Sequence, residues 1–86
     1  MNRIEIGKGE RVICVVVGNN REANIRAFKS FVRMQFTSSR WVIIGDDAEI
    51  DAVLPQFLLE RGDYEIYPGG MPIPQGNIFL IDATKI

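Results

Sequence analysis

An uninterrupted apolar run from Val12 to Val17 constrains the fold more than any other stretch of this sequence. Five of its six residues are branched at Cβ, which favours a strand. Because a half-exposed strand would alternate apolar and polar residues, unbroken apolarity predicts a strand covered on both faces, as in a parallel sheet. A Gly-Asn-Asn turn follows, and Asn20 is a suitable N-cap for a helix after it.

The same order of strand, glycine turn and helix recurs along the chain. Apolar residues at helical spacing predict a first helix that extends to about Phe36, and residues 41–44 predict a second buried strand. The second helix is predicted over residues 47–61, with Pro55 causing a kink or a break near residues 51–54. Two successive strand-helix units predict parallel strands joined by right-handed crossovers.

Two short strands are predicted in the C-terminal part of the chain, at residues 64–67 and 78–81. The Pro/Gly loop 68–77 connects them. Because only ten residues and no helix separate these strands, they are expected to be antiparallel. Residues 3–6 could add a short edge strand. Residues 1–86 are therefore predicted to form a single α/β domain. Its single-layer sheet would have four to five strands, formed by two parallel βα units and an antiparallel C-terminal hairpin, packed with two helices.

The order of the strands has two alternatives. Helices on opposite faces of the sheet predict the spatial order 2-1-3-4 for the four main strands. Helices on one face would leave the other face with exposed Val, Ile, Phe and Leu side chains, which usually indicates a partner or a homodimer interface. Because 86 residues cover a sheet thinly in either arrangement, a homodimer is one expectation.

The composition excludes several kinds of active site. The chain contains no histidine, which removes Ser-His-Asp and Cys-His catalysis and every His-ligated metal site. Cys14 is the single cysteine and is predicted to be a buried core residue. A carboxylate cluster could hold Mg²⁺, but these acids start a helix, where negative charge is favoured structurally. The cluster is Asp46, Asp47, Glu49 and Asp51. We expect no catalytic residue, no metal, no cofactor and no enzymatic activity.

Charge is distributed unevenly, although the net charge is −1. Residues 1–40 hold eight Lys and Arg against three acids, whereas residues 41–86 hold two against eight. Arg26, Lys29 and Arg33 fall within roughly 60° of one another on the predicted first helix. Such a basic stripe can contact phosphates or an acidic protein surface, and a solvated helix face is the alternative.

The Pro/Gly loop is a second candidate surface, because Met71 and Ile73 are apolar and the prolines limit the entropy lost on binding. The alternative is that both side chains fold back over the sheet as a lid. The sequence thus predicts a small binding or regulatory module whose partner is an acidic protein or a nucleic acid. The residues expected to bind it are Arg21, Arg26, Lys29, Arg33, Arg40, Met71 and Ile73.

An alternative function is to hold an anion or a nucleotide at the turn before the first helix, where backbone amides are free. The residues expected to bind it are Gly18, Asn19, Asn20 and Arg21. The turn lacks the G-x-G-x-x-G pattern, and strand-Gly-helix is also the ordinary connection in α/β proteins. No apolar run approaches the ~20 residues of a membrane span, so we expect a cytoplasmic protein with no membrane partner.

Overall fold

A computed structural model describes residues 3–34, 40–45 and 50–85, with the side chains of all these residues except 30–34. The α/β class is confirmed. Both predicted strand-helix units are present, whereas the predicted strand at residues 3–6 is wrong because this segment forms no strand pairing. The elements are β1 (Val12–Val16), α1 (Arg21–Met34), β2 (Arg40–Ile44), α2 (Ile50–Val53), α3 (Gln56–Arg61), β3 (Tyr64–Tyr67), β4 (Ile78–Asp82) and a 3-10 turn (Ala83–Lys85).

All four strands run parallel, in the order β3-β2-β1-β4. The predicted antiparallel C-terminal hairpin is therefore wrong: β4 pairs with β1, with Val12 opposite Ile78 and Val16 opposite Asp82. The prediction failed because a parallel crossover does not need a helix. The path from β3 to β4 crosses about 14 Å of sheet, whereas ten extended residues reach about 33 Å.

Of the two alternatives for the sheet, the order 2-1-3-4 is wrong and the arrangement with both helical connections on one face is confirmed. Ile13, Val15 and Ile43 face the helices and form a core with four helical residues and with Leu54, which lies between α2 and α3. The four helical residues are Ala27, Phe28, Val53 and Leu58. The alternate residues Cys14 and Val42 face the other way. The second face is covered by chain without regular structure, through the side chains of Ile4, Ile6 and Met71.

The predicted break at Pro55 is confirmed and divides the second helical region into α2 and α3. Pro55 has extended backbone angles, φ −69° and ψ 150°, and stands at the N-cap of α3. Its carbonyl oxygen accepts the first bond of α3 from the Leu58 amide at 3.0 Å. Gly62 ends α3 with φ 73°, and its amide donates to the Leu58 carbonyl at 3.0 Å. Residues 46–49, predicted to begin this region, lie outside the described residues.

An aromatic group holds the helices against β2. The Trp41 ring is 1% exposed and stacks on Phe28 of α1, with ring centroids 6.3 Å apart. Phe57 of α3 meets the same ring edge-on at 5.7 Å. Because one side chain of β2 contacts both α1 and α3, it fixes where each helix lies on the sheet and which side of α1 faces outward.

Candidate docking surface

The sequence of α1 separates a core side from an outer side. Ala23, Asn24, Ala27 and Phe28 are buried, each at 1% exposure or less. The exposed residues of the described half of α1 are Arg21, Glu22, Arg26 and Lys29. The predicted N-cap is confirmed, since the Asn20 side-chain oxygen accepts a bond from the Ala23 amide at 3.2 Å.

We call Arg26 and Lys29 the basic face of α1. They stand three residues apart, which places them on neighbouring turns of one side of the helix. Neither forms an ion pair with any residue that the structure describes. Arg33 belongs to the same stripe by its spacing, and its side chain lies outside the description. Two exposed cations thus stand together, and neither is paired with a described carboxylate, although Glu22 lies one turn before Arg26.

Arg40, predicted to lie near this stripe, is on the opposite face of the sheet. It opens β2 in the same orientation as Val42 and Ile44, which face away from α1. Its guanidinium contacts the Glu65 carboxylate at 2.6 Å and the Glu10 carboxylate at 3.3 Å, and it donates to the Glu5 carbonyl. Arg40 therefore ties the N-terminal segment to β2 and β3 and cannot extend the basic face of α1.

The predicted loop residues also lie away from α1. Met71 packs against the core cluster of the second face, which is the lid arrangement, whereas Ile73 is 44% exposed. Ile73 borders a cleft of about 360 Å³ between the Pro/Gly loop and the N-terminal segment. The cleft is lined by Arg3, Ile4, Glu5, Ile6, Pro72, Ile73, Pro74 and Gln75. Because Met71 and the helices are on opposite faces, one flat partner surface cannot contact Met71 and the basic face of α1 together.

The Gly18–Arg21 turn lies at the carboxyl end of β1. The buried Asn24 side chain is bonded to Gly18 twice, accepting from its amide at 3.0 Å and donating to its carbonyl at 2.9 Å. Thr84 approaches from the other side, since a Cβ built on Gly18 would lie 2.9 Å from Thr84 Cγ2. Asn19, Asn20 and Arg21 are exposed, whereas the Gly18 amide already has a partner.

Strand order gives this turn a distinctive position. The chain proceeds from β1 to β2 and β3 on one side, and then returns to β4 on the other side of β1. In parallel α/β sheets, such a reversal between neighbouring strands is where ligands usually bind, outside the carboxyl ends. At this place Asp82 ends β4, and its carboxylate accepts a bond from the Thr84 amide at 2.9 Å.

Asn24 holds the backbone of this turn, and the sequence analysis did not identify it. The available signal was a polar amide at a core position of the first helix, between Ala23 and Ala27. A buried side-chain amide needs partners, and the nearest backbone groups in the chain are those of the preceding turn.

Of the four carboxylates considered as metal ligands, Asp51 alone is among the described residues. Asp51 is exposed in the first turn of α2, while Asp46, Asp47 and Glu49 belong to the stretch 46–49 outside those residues. In the parts of the chain that are described, no three acidic, cysteine or histidine side chains are grouped as metal ligands. Among the described helices, none has the length and apolarity needed to cross a membrane.

Comparisons of the chain with protein-family models, with curated proteins and with solved structures find no match.

Proposed function

We propose that the chain is a small non-enzymatic binding module that docks an acidic partner through the basic face of α1. The supporting observation is a contrast in how basic side chains are used. Arg3, Arg40 and Arg61 each pair with a carboxylate of this chain. Arg26 and Lys29 are exposed and have no such pair among the described residues. Cations that the fold does not engage are available for a partner's phosphates or carboxylates.

The proposal implies a dependence on salt. Each phosphate neutralised by a Lys or Arg releases counterions, so the logarithm of the binding constant falls by about 0.7 to 0.9 per contact for each decade of salt. Arg26, Lys29 and Arg33 together would give a slope of about 2 to 3. An acidic protein surface would show weaker salt dependence, mainly in the association rate.

The experiment measures fluorescence anisotropy of labelled mixed-sequence DNA, RNA and a poly-glutamate peptide, at low and at physiological salt. Wild type is compared with Arg26→Glu/Lys29→Glu. The matched control is Arg3→Glu/Lys8→Glu, which changes the net charge equally at two exposed positions of the N-terminal segment. We expect binding at low salt that is lost in the α1 variant and kept in the control.

Two outcomes contradict the proposal. If all three probes fail to bind at low salt, the basic face of α1 is a solvated helix surface. If both double variants lose binding equally, net charge and not the position of Arg26 and Lys29 determines the interaction. The probe that binds decides between a nucleic acid and an acidic protein as the partner class.

We propose an anion or a nucleotide at the Gly18–Arg21 turn as the second candidate function. The observation that favours it is the reversal of strand order between β1 and β4, beside which this turn lies. The amides of Asn19 and Asn20 would have to supply the backbone contacts, because the Gly18 amide is bonded to Asn24. Amide NMR shifts on titration with inorganic phosphate or ATP test it: shifts confined to residues 18–22 support it, and unchanged spectra exclude it.

A further inference from the structure

From Ile78 to Ile81, the outer edge of β4 lacks the features that usually protect a sheet edge. β4 is the last strand of the sheet and pairs with β1 on one side. Its residues from Ile78 to Ile81 are all apolar, and Leu80 is 40% exposed. Natural edges are commonly guarded by charges, prolines or bulges. The opposite edge, β3, has such a guard: exposed Glu65, paired with Arg40.

The register of β4 identifies which backbone groups point outward. The Val12 amide donates to the Asn77 carbonyl at 3.1 Å, so the amides and carbonyls of Phe79 and Ile81 face β1. The amides and carbonyls of Ile78, Leu80 and Asp82 face away from β1. The Ile78 amide is bonded to the Gly76 carbonyl at 3.0 Å, and the 3-10 turn engages the Asp82 carbonyl. The outward groups that have no partner among the described residues are the Ile78 carbonyl, both groups of Leu80 and the Asp82 amide.

We propose that two copies of the chain pair antiparallel through β4, about a twofold axis at Leu80. In this register the Leu80 amide and carbonyl of each copy bond to those of Leu80 in the other, as in a hydrogen-bonded antiparallel pair. The Asp82 amide of each copy donates to the Ile78 carbonyl of the other. All the remaining outward groups are thereby used, in four bonds, and two four-stranded sheets become one sheet of eight strands.

The side chains of β4 suit a second copy in the same register. Residues directly opposite in an antiparallel pair lie on the same face, so Leu80 meets Leu80 on one face. On the other face Phe79, 36% exposed, meets Ile81. No charge stands opposite a like charge along Ile78–Ile81. A pairing of two β3 edges would instead bring exposed Glu65 side chains of both copies towards each other.

Pairing through β4 also determines where the two α1 helices of the dimer lie. This inference does not depend on the proposed function. A twofold axis through an antiparallel strand pair is perpendicular to the sheet, so the helices of both copies lie on the same face. The dimer would present two basic faces of α1 on one side. Because the shared edge is only five residues long, we expect a dimer that dissociates on dilution.

The first test is sedimentation of wild type across micromolar to submillimolar concentrations, with Leu80→Lys beside it. We expect wild type to approach twice the 9.7 kDa chain mass, and Leu80→Lys to remain monomeric because two ammonium groups would meet at the axis. The matched control is Leu59→Lys, 38% exposed on α3, which should dimerise like wild type. Wild type that stays monomeric throughout, or a dimer that Leu80→Lys leaves intact, overturns the proposal.

The second test does not depend on Leu80→Lys folding. In a hydrogen-bonded antiparallel pair the Cα atoms are about 5.5 Å apart, a separation that a disulfide accepts. Leu80→Cys should therefore form a covalent dimer under mild oxidation at native pH. Ile66→Cys, 43% exposed on the β3 edge, should remain a monomer. Cross-linking of both variants to the same extent, or of Ile66→Cys alone, contradicts pairing through β4.

Discussion

The side-chain amide of Asn24 makes two hydrogen bonds to a single residue, Gly18. Its oxygen accepts from the Gly18 amide at 3.0 Å and its nitrogen donates to the Gly18 carbonyl at 2.9 Å. A residue of the first turn of α1 is thereby fastened to the end of β1. Together with the packing of Phe28 on Trp41, these bonds hold α1 in the rotation that leaves Arg26 and Lys29 facing outward.

Asn24→Ala should lower the free energy of unfolding by about 2 kcal/mol, because two partly buried backbone groups of Gly18 lose their partners. Urea unfolding measures the change. Asn19→Ala is the matched control, since Asn19 is exposed on the same turn, and it should change stability by less than about 0.5 kcal/mol. Equal losses in the two variants would show that the bonds to Gly18 add nothing to stability.

Gly18→Ala should be destabilising by about 1 to 2 kcal/mol, because its Cβ would lie 2.9 Å from Thr84 Cγ2. Thr84→Ser removes that methyl group and keeps the hydroxyl that donates to Asp82. In a double-mutant cycle, Thr84→Ser should therefore offset most of the effect of Gly18→Ala. Additive effects of the two substitutions would show that the 3-10 turn is not what confines Gly18.

Gly45→Ala provides a contrast at the neighbouring strand end. Its Cβ would lie 2.5 Å from the Val17 carbonyl oxygen, a backbone atom, and its φ of 155° is unfavourable for other residues. No side-chain substitution can relieve that approach. We expect Gly45→Ala to be destabilised by more than Gly18→Ala, by about 3 kcal/mol, in the same urea measurement. A smaller loss than that of Gly18→Ala would contradict this ranking.

The strands and helices could be predicted from the sequence because their signals are local. The branched run before Gly18, the Asn20 cap and the interruption at Pro55 each act within a few residues of themselves. Strand order could not be predicted because it depends on what covers the second face of the sheet. Ile4 and Met71 cover that face. They lie 67 residues apart in the chain, in segments without hydrophobic periodicity. No hydrophobic pattern could indicate that a proline-rich loop replaces a crossover helix.

In the candidate docking surface too, local features could be predicted and long-range ones could not. Arg26 and Lys29 were predicted together because helical spacing alone places them side by side. Arg40 was misplaced because its partners, Glu10 and Glu65, are 30 and 25 residues away in the chain. Long-range ion pairs depend on which strands are neighbours and on their register, and no local sequence pattern indicates either. Asn24 was missed for a different reason: its partner Gly18 is close in the chain, but the bonded groups of Gly18 are backbone atoms, which no side-chain pattern identifies.

Arg40→Met should lower stability by about 1 to 2 kcal/mol, since it removes the one guanidinium between two carboxylates while keeping the apolar stem. The loss should shrink at high salt, which screens the remaining repulsion between Glu10 and Glu65. Amide hydrogen exchange should accelerate at residues 5–10, which Arg40 holds to the sheet. The control is Arg3→Met: its side chain is 66% exposed and pairs with Glu5, so its removal should cost less than about 0.5 kcal/mol.

Because Cys14 is buried, we expect the protein to lose stability at alkaline pH. Burial, followed by the nearby Asp82 carboxylate, raises the pKa of its thiol from 9.0 to about 11. Below pH 9 both the folded and the unfolded chain keep the proton, so this group contributes no pH dependence. Between pH 9 and about 11 the unfolded chain ionises while the folded chain does not, so the free energy of unfolding should fall as pH rises.

Urea unfolding of wild type and Cys14→Ala, repeated from pH 8 upward, measures this contribution as the difference in slope between the two chains. Cys14→Ala should be less stable at every pH because of the cavity it leaves, but it should lack the additional decline above pH 9. Alkylation supplies an independent measurement: Cys14 should react with iodoacetamide only on unfolding, whereas the exposed thiol of Ile66→Cys should react at once. Parallel pH slopes in the two chains, or rapid labelling of folded wild type, would mean that the thiol at position 14 is accessible to solvent.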